Sequence, residues 1–484
     1  MDFVHRRPLF AGVVAVVLTA ALLSIGNGMN PVWPVMWIAP LPVLVFAAEA
    51  ASWWMAGAAS ALALLLGSLT MLYYLHSALG LPILAWFIPF SVASLLFALG
   101  VVLFRALVRR GALFSAAIAL PALWTMGEYV SSFVPANGTA GSLAYTQLRF
   151  LPVLQVASVT GLWGISFLLL LFPSAIAAAL HVWRVSAKRA ARVVVTVLAI
   201  LAVVLVFGVV RLATPSSGRT IKVGLLDTDK LQIAKPEAAT EDLIQSYAEE
   251  AERLAGQGAR IVVMPEKTGV LLERNAKAAD EVLQAVADKT GATLVIGVLR
   301  VGWDEKFNEA RIYQPRRTIA TYDKEHMLPP FESDLTPGSS LTFLAEPSAM
   351  VGVAICKDMD FIRPALDYGR AGAALLLDPA WDFNVDRAWH GHIAIMRGVE
   401  DGFAVAHTAK DGFLTVTDSR GRILGEVRSS SVPFASLLVD VPVQHQDTIF
   451  SRFGAWFPWL AAALMLGAVA RLAIALRQGE SETI

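Results

Sequence analysis

The chain has 484 residues, 56% of them hydrophobic and 16% charged, with a mean hydropathy of +0.59; this is too apolar for one soluble globular chain and predicts several membrane spans. Its 39 Lys and Arg balance 39 Asp and Glu, so net charge argues for no acidic partner. The single cysteine, Cys356, excludes an intramolecular disulfide.

Runs of about 20 apolar residues, each long enough to cross a bilayer as a helix, are predicted at 9–27, 33–48, 52–73, 81–104, 112–134, 157–180, 193–213 and 453–474. The first reads as a retained span, since no small-residue cleavage site is followed by a soluble segment. Pro31, Pro34, Pro40 and Pro42 interrupt the second, which leaves a re-entrant or broken helix open there. Basic residues orient the set, because short loops rich in Lys and Arg stay cytoplasmic. With eight spans, Arg6 and Arg7, then Arg105, Arg109 and Arg110, then Arg184, Lys188, Arg189 and Arg192, and finally Arg471 and Arg477 all fall on one face. The expected division is a helical membrane domain of about seven spans (1–213), an extracytoplasmic domain (214–452), and a last span with a cytoplasmic tail (453–484).

The middle domain alternates short apolar strands with helices: IKVGLLD (221–227), a helix through DLIQSYAEEAERLAGQ, IVVMPE (261–266), a helix through NAKAADEVLQAVADKTG, and TLVIGVL (293–299). After these come RTIATYDK (317–324), VGVAIC (351–356), ALLLDPAW (374–381), a helix containing HGHIAIMRGVEDG, and FLTVTDSRGRILGEV, a hairpin turning at Asp418 to Gly421. This order predicts a layered α/β domain.

Three polar residues close three of these strands: Glu266, Lys324 and Cys356. Strand ends of α/β sheets are where catalytic groups collect. Alone, Cys356 could be a small buried hydrophobe, a spare thiol or a nucleophile. Together the three form a nucleophilic set: the carboxylate can take the thiol proton and the ammonium can stabilise an oxyanion, with the Lys357 N–H as a second donor.

The order MPE, YDKEHMLPPFE, then an apolar strand ending in Cys resembles the nitrilase (carbon-nitrogen hydrolase) superfamily with its Glu-Lys-Cys triad. With the surrounding spans, the chain resembles the integral-membrane branch, the apolipoprotein N-acyltransferase family. PALWTMGEYV (121–130), GSLAYTQ (141–147), DPAWDF, IAIMRGVEDG and GFLTVTDSRGRIL extend the likeness over nearly the whole chain. The resemblance implies an α-helical membrane bundle of about eight transmembrane helices plus a nitrilase-like α-β-β-α sandwich. It implies catalytic Glu266, Lys324 and Cys356, with Glu332, eight residues after Lys324, assisting. The chain departs from the family pattern after the nucleophile, where Lys357 and Asp358 stand in place of an aromatic and a carboxylate. It departs again at Asp378-Pro379-Ala380-Trp381, where the family often reads Asn-Asp-Ala-Trp. Trp381 is carried over as a supporting residue.

The reaction so implied moves an acyl chain from a phospholipid to Cys356 as a thioester, then to the α-amine of a diacylglyceryl-cysteine at a lipoprotein N-terminus, in a bacterial inner membrane. A membrane-tethered amidase or hydrolase, with water as the acceptor, and a non-catalytic scaffold are the rival readings. Tyr145 and Gln147, in a predicted extracytoplasmic loop, are candidates for substrate contact, with loop packing the alternative. Trp53, Trp54, Tyr73 and Tyr74 are candidate interfacial anchors or an ordinary aromatic belt. Glu128, inside a span, is either functional or paired with a neighbour. His390 and His392, two apart on different helix faces, suit a helix start better than a metal. No metal, cofactor or nucleic acid is expected, for want of a ligand cluster, a phosphate loop or a basic patch.

Overall fold

The structure, a computed structural model, describes residues 7–80, 82–215, 218–229, 237–347, 349–429 and 432–481; Arg6 of the first basic cluster lies outside them. The chain divides into two compact units, one of Met1–Ser131, Gly141–Arg211 and Ala455–Ile484, the other of Ser132–Ala140 and Leu212–Gly454.

In the first unit, seven helices among the described residues are long and apolar enough to span a bilayer: Pro8–Gly26, Trp53–Ser77, Phe87–Arg109, Leu113–Ser131, Leu162–Val182, Ala187–Ala213 and Phe457–Arg477. The second expected span, 33–48, is instead two short helices, Trp33–Met36 and Leu41–Glu49. Pro40 has no N–H to continue a helix, so the chain breaks there and restarts. The second helix is finished by side chains: Arg109 Nε donates to the Ala48 carbonyl at 3.1 Å and Arg105 Nη2 to that of Ala50 at 2.8 Å. These cations satisfy carbonyls that a helix C-terminus leaves without partners. Arg189 Nη2 donates to the Gly111 carbonyl at 2.6 Å, which ties its basic cluster to the turn that follows Arg110.

Glu128 proves to be paired within this unit. Its carboxylate accepts from Trp124 Nε1 (2.9 Å), Ser142 Oγ (2.8 Å) and the Leu143 N–H (2.9 Å), which anchors the short 3-10 helix Leu143–Gln147. Trp53, Trp54 and Tyr73 are exposed, as a belt requires, whereas Tyr74 is buried and is no anchor.

Among its described residues the second unit has thirteen strands: β1 (Thr220–Asp227), β2 (Ile261–Val263), β3 (Gly269–Leu272), β4 (Thr293–Val301), β5 (Lys306–Tyr313), β6 (Ala320–Asp323), β7 (Phe343–Glu346), β8 (Ala349–Val353), β9 (Leu375–Trp381), β10 (Ala404–Lys410), β11 (Phe413–Thr417), β12 (Ile423–Arg428) and β13 (Ala435–Pro442). One sheet runs β13-β1-β2-β4-β5-β6, with β3 also on β4; the other runs β12-β11-β10-β9-β8-β7. Ile221, Val223 and Leu225 of β1 meet Val351 and Val353 of β8, Leu375 and Leu377 of β9, and Ala404 and Ala406 of β10 in one buried core between the sheets. Alternate residues of the first sheet, Leu226, Val262 and Leu294 among them, face the helices Glu237–Gly256 and Glu273–Thr290. Leu376 and Val405 of the second sheet pack with Ala365 and Ala394 of its helices. The result is the α-β-β-α sandwich, with the strands buried on both faces, which is why they read as continuous apolar runs.

Ser132–Ala140 belongs to this unit although it lies inside the stretch expected to be membrane domain. The reason is hydrogen bonding: the Thr139 N–H and Oγ1 both donate to the Asp360 carbonyl at 2.7 Å, and Lys357 Nζ donates to the Ala136 carbonyl at 3.0 Å.

Candidate active site

Glu266, Lys324 and Cys356 each lie just beyond a strand, β2, β6 and β8 respectively. Two glycines make room for the first two. A Cβ on Gly297 of β4 would stand 2.5 Å from Glu266 Cα, and one on Gly338 would stand 2.1 Å from the Asp323 carbonyl oxygen. Only glycine lets the backbone come so close.

Lys324 is fully buried, and its Nζ donates to Glu266 Oε1 at 2.8 Å and to Glu332 Oε2 at 3.0 Å. Glu332 also accepts from Asn308 Nδ2 (2.8 Å), the Leu328 N–H (2.8 Å) and Lys267 Nζ. Asn308 Nδ2 reaches Glu266 Oε1 as well, so one amide bridges both carboxylates. Burial alone would lower the Lys324 ammonium, but Glu266 and Glu332 outweigh it and hold it well above the ordinary lysine value. Burial would likewise raise Glu332, yet Lys324 and Lys267 bring it down to about 2. Lys324 is therefore a fixed cation and Glu332 a fixed anion.

Cys356 opens a 3-10 helix, Cys356–Asp360, with φ of 46°, in the left-handed region. Its N–H donates to Asp378 Oδ1 at 2.7 Å, and its Sγ donates to the Trp381 carbonyl at 3.8 Å rather than to Glu266. Burial, and then the Glu266 charge, push the thiol well above its ordinary value, with Lys324 pulling the other way. At rest the sulfur is thus protonated, and reaction needs a base. The N–H of Lys357 lies in the first turn of the 3-10 helix, where amides have no acceptor within the helix, as an oxyanion donor requires.

The supporting residues divide by what they touch. Asp358, fully buried, accepts from Tyr322 Oη (2.8 Å), the Ile355 N–H (3.1 Å), the Glu325 N–H (3.1 Å), the His326 N–H (2.8 Å) and His326 Nδ1 (3.2 Å). It therefore ties the Lys324 segment to the Cys356 turn. The Lys357 ammonium is turned into an ion pair with Asp360 at 2.6 Å. Trp381 supplies its carbonyl to Cys356 and donates its indole N–H to Asp411 Oδ2 at 3.0 Å. Tyr145 and Gln147, expected in a loop open to substrate, are buried inside the helical unit. Gln147 accepts from Trp37 Nε1 and donates to the Trp33 carbonyl, so packing is the reading their surroundings support. His390 sits in the first turn of the helix Arg387–Asp401, 2.8 Å from Asp386 at its N-cap, the helix-start position.

Sequence reasoning missed Asn308, Lys267, Asp382 and His407. Asn308 lies on β5, whose mixed KFNEARIY carries no apolar signal. His407 lies on β10, with Nδ1 2.7 Å from Asp378 Oδ2. Burial would lower the imidazolium, but Asp378 lifts it to about 10, while burial raises Asp378 to about 6 against the pull of His407. A charged His407 thus stands behind the carboxylate that holds the Cys356 backbone.

A profile described as "Apolipoprotein N-acyltransferase N-terminal domain" matches residues 15–176, and one described as "Carbon-nitrogen hydrolase" matches residues 231–430. The chain is 26% identical over 516 residues to an apolipoprotein N-acyltransferase of Geobacter metallireducens, covering 99% of this chain and 97% of that protein. It is 32% identical over 173 residues to an omega-amidase of Danio rerio, covering 31% of this chain and 60% of that one. A crystal structure of an amidase from Nesterenkonia sp. matches at 21% identity with a TM-score of 0.41, covering 49% of this chain and 95% of the amidase.

Proposed function

Because the chain belongs to the apolipoprotein N-acyltransferase family, we propose that Cys356 accepts an acyl chain from a phospholipid and passes it to the α-amine of a diacylglyceryl-cysteine at a lipoprotein N-terminus. The observation that carries this reading is the buried, hydrogen-bonded Glu266, Lys324 and Glu332 cluster, whose charges act on the Cys356 thiol.

Glu266 takes the Cys356 proton as the sulfur attacks the ester carbonyl. The tetrahedral oxyanion is met by the Lys324 ammonium and the Lys357 N–H. Its collapse breaks the ester C–O bond, and Glu266 returns the proton to the departing lysophospholipid alkoxide, leaving a thioester. In the second half the acceptor amine attacks, Glu266 takes its proton, and collapse breaks the C–S bond; Glu266 then reprotonates the sulfur. Glu332 and Asn308 hold Lys324 and Glu266 in register throughout.

The chain is a multi-pass membrane protein, with seven long apolar helices among its described residues. The Arg184–Arg192 cluster and Arg471 with Arg477, each across one span from the α/β unit, support an extracytoplasmic α/β unit, and the family likeness supports a bacterial inner membrane. Both substrates carry acyl chains lodged in a bilayer, so a catalytic unit tethered by spans meets them at a concentrated surface.

The likeness to an omega-amidase favours a second reading, a hydrolase in which water resolves the thioester. Intact mass spectrometry of the purified protein incubated with phosphatidylethanolamine separates the two. An acyl mass on wild type but not on Cys356→Ala, removable by hydroxylamine and transferred to a diacylated lipopeptide amine, is the expected result. An adduct lost at the same rate with or without lipopeptide would establish the hydrolase, and no adduct would end the acyl-enzyme reading.

A further inference from the structure

Beside Cys356 lies a cavity within the α/β unit whose lining is rich in ionisable groups: Lys357, Asp360, Asp378, Asp382, His390 and His407. Most are matched in pairs. Lys357 Nζ is 2.6 Å from Asp360, His407 Nδ1 is 2.7 Å from Asp378, and His390 Nδ1 is 2.8 Å from Asp386. Asp382 is left over. It is 1% exposed, neither carboxylate oxygen makes a hydrogen bond, and its cationic neighbour, His407 Nε2, which also serves Asp378 through Nδ1, stands off at 3.7 Å.

A buried carboxylate without hydrogen-bond partners is costly and calls for an explanation. The backbone holds it there: β9 ends at Trp381, the Asp382 N–H donates to the Lys410 carbonyl at 2.9 Å, and a Cβ on Gly412 would stand 2.4 Å from Asp382 Oδ2. Trp381, whose carbonyl accepts from Cys356 Sγ, is its immediate neighbour. A buried carboxylate with unfilled hydrogen-bond capacity, its one cation shared with Asp378, is therefore held next to the sulfur.

We propose that Asp382 is the binding site for the ammonium group of the acceptor, so that the cavity selects a primary amine over water. This inference deepens the acyltransfer reading and rests on it for the identity of the acceptor. An N-terminal α-amine, with a pKa near 7.7–8.0, arrives largely as an ammonium at neutral pH. Docked against Asp382, it supplies the missing hydrogen bonds as charge-assisted ones and relieves His407 of serving two carboxylates. It becomes a nucleophile by giving one proton to Asp382, forms the N–C bond as Glu266 takes a second, and Glu266 then returns that proton to the departing sulfur. Asp382 releases its proton to solvent. Burial already holds the Asp382 carboxyl above its ordinary value, against the pull of His407, which suits a group that alternates between the two states. Water can donate to the same carboxylate but brings no opposing charge, so the ammonium is held the more tightly.

The test uses the full chain in detergent and follows iodoacetamide alkylation of Cys356 in the presence of n-butylammonium or n-butanol. In wild type, butylammonium protects with an apparent constant about tenfold lower than that of butanol, and Asp382→Asn removes the difference. Equal or absent protection in wild type overturns the proposal by itself, even if Asp382→Asn does not fold. So does a tenfold preference that survives in Asp382→Asn. The assay needs no acyl donor, so a failure to form the phospholipid adduct strikes the acyltransfer reading and leaves this contrast standing, and the converse holds as well.

Discussion

The backbone N–H of Cys356 donates to Asp378 Oδ1 at 2.7 Å, while the other oxygen of Asp378 is held by His407 at 2.7 Å. A carboxylate fixed by an imidazolium thereby keeps a non-glycine residue at a φ of 46°, a conformation that is uncommon without such restraint.

Asp378→Ala removes that restraint without touching Glu266, Lys324 or the sulfur. Misplacement of a nucleophile by about 1 Å costs on the order of 10²-fold, and acyl-adduct formation by intact mass spectrometry is expected to slow by about that factor. An unchanged rate would show that the turn holds its shape unaided.

The raised Cys356 thiol predicts an alkylation rate that keeps climbing with pH beyond the ordinary thiol value of about 8.5. Glu266 is the largest contributor after burial, and its negative charge opposes ionisation. Glu266→Gln should therefore bring the thiolate in at lower pH and speed alkylation at pH 8, while acyl transfer falls by about 10²–10⁴-fold for want of a base. Slower alkylation in the variant would contradict the electrostatic account.

The His407 imidazolium, lifted to about 10 by Asp378 against the effect of burial, makes stability depend on pH. Its folded value lies above the ordinary one of about 6.5, so its contribution is complete below pH 6.5 and is lost as pH rises through about 10. Thermal melting of the full chain should fall across that window, and His407→Gln should flatten the slope while costing about 3–5 kcal/mol at pH 6.5, because a buried partner is left unpaired.

Asp358 accepts five hydrogen bonds from Tyr322, Glu325, His326 and Ile355. Asp358→Ala leaves these donors without an acceptor, and a loss of about 3–5 kcal/mol is expected. Chemical denaturation should register it, together with slower acyl-adduct formation as the Lys324 and Cys356 segments come apart.

Much of the architecture was legible because burial writes it into residue order. Strands covered on both faces must be apolar throughout, so β1, β4, β8 and β9 stood out in the sequence, as did the spans. The polar β5 carried no such signal, since the contacts that make it a strand are its pairings with β4 and β6, and Asn308 was missed with it. The prolines of 33–48 announced a break, yet the finish of the second helix depended on Arg105 and Arg109, more than fifty residues away. The choice between substrate contact and packing at Gln147 was not legible, because its partners Trp33 and Trp37 come from a distant segment.

The sequence by itself determined the two kinds of unit, the membrane spans, the layered α/β class and the order of Glu266, Lys324 and Cys356, because each depends on local hydrophobic periodicity or on residues at strand ends. Only the tertiary structure decided which groups neutralise one another. Glu332 with Lys267, Asp378 with His407, Asp358 with the Lys324 segment, and Asp382 with no hydrogen-bond partner are all relations between residues far apart in the chain. Charge balance in a buried site is a sum over neighbours in space, and no spacing along the sequence encodes it.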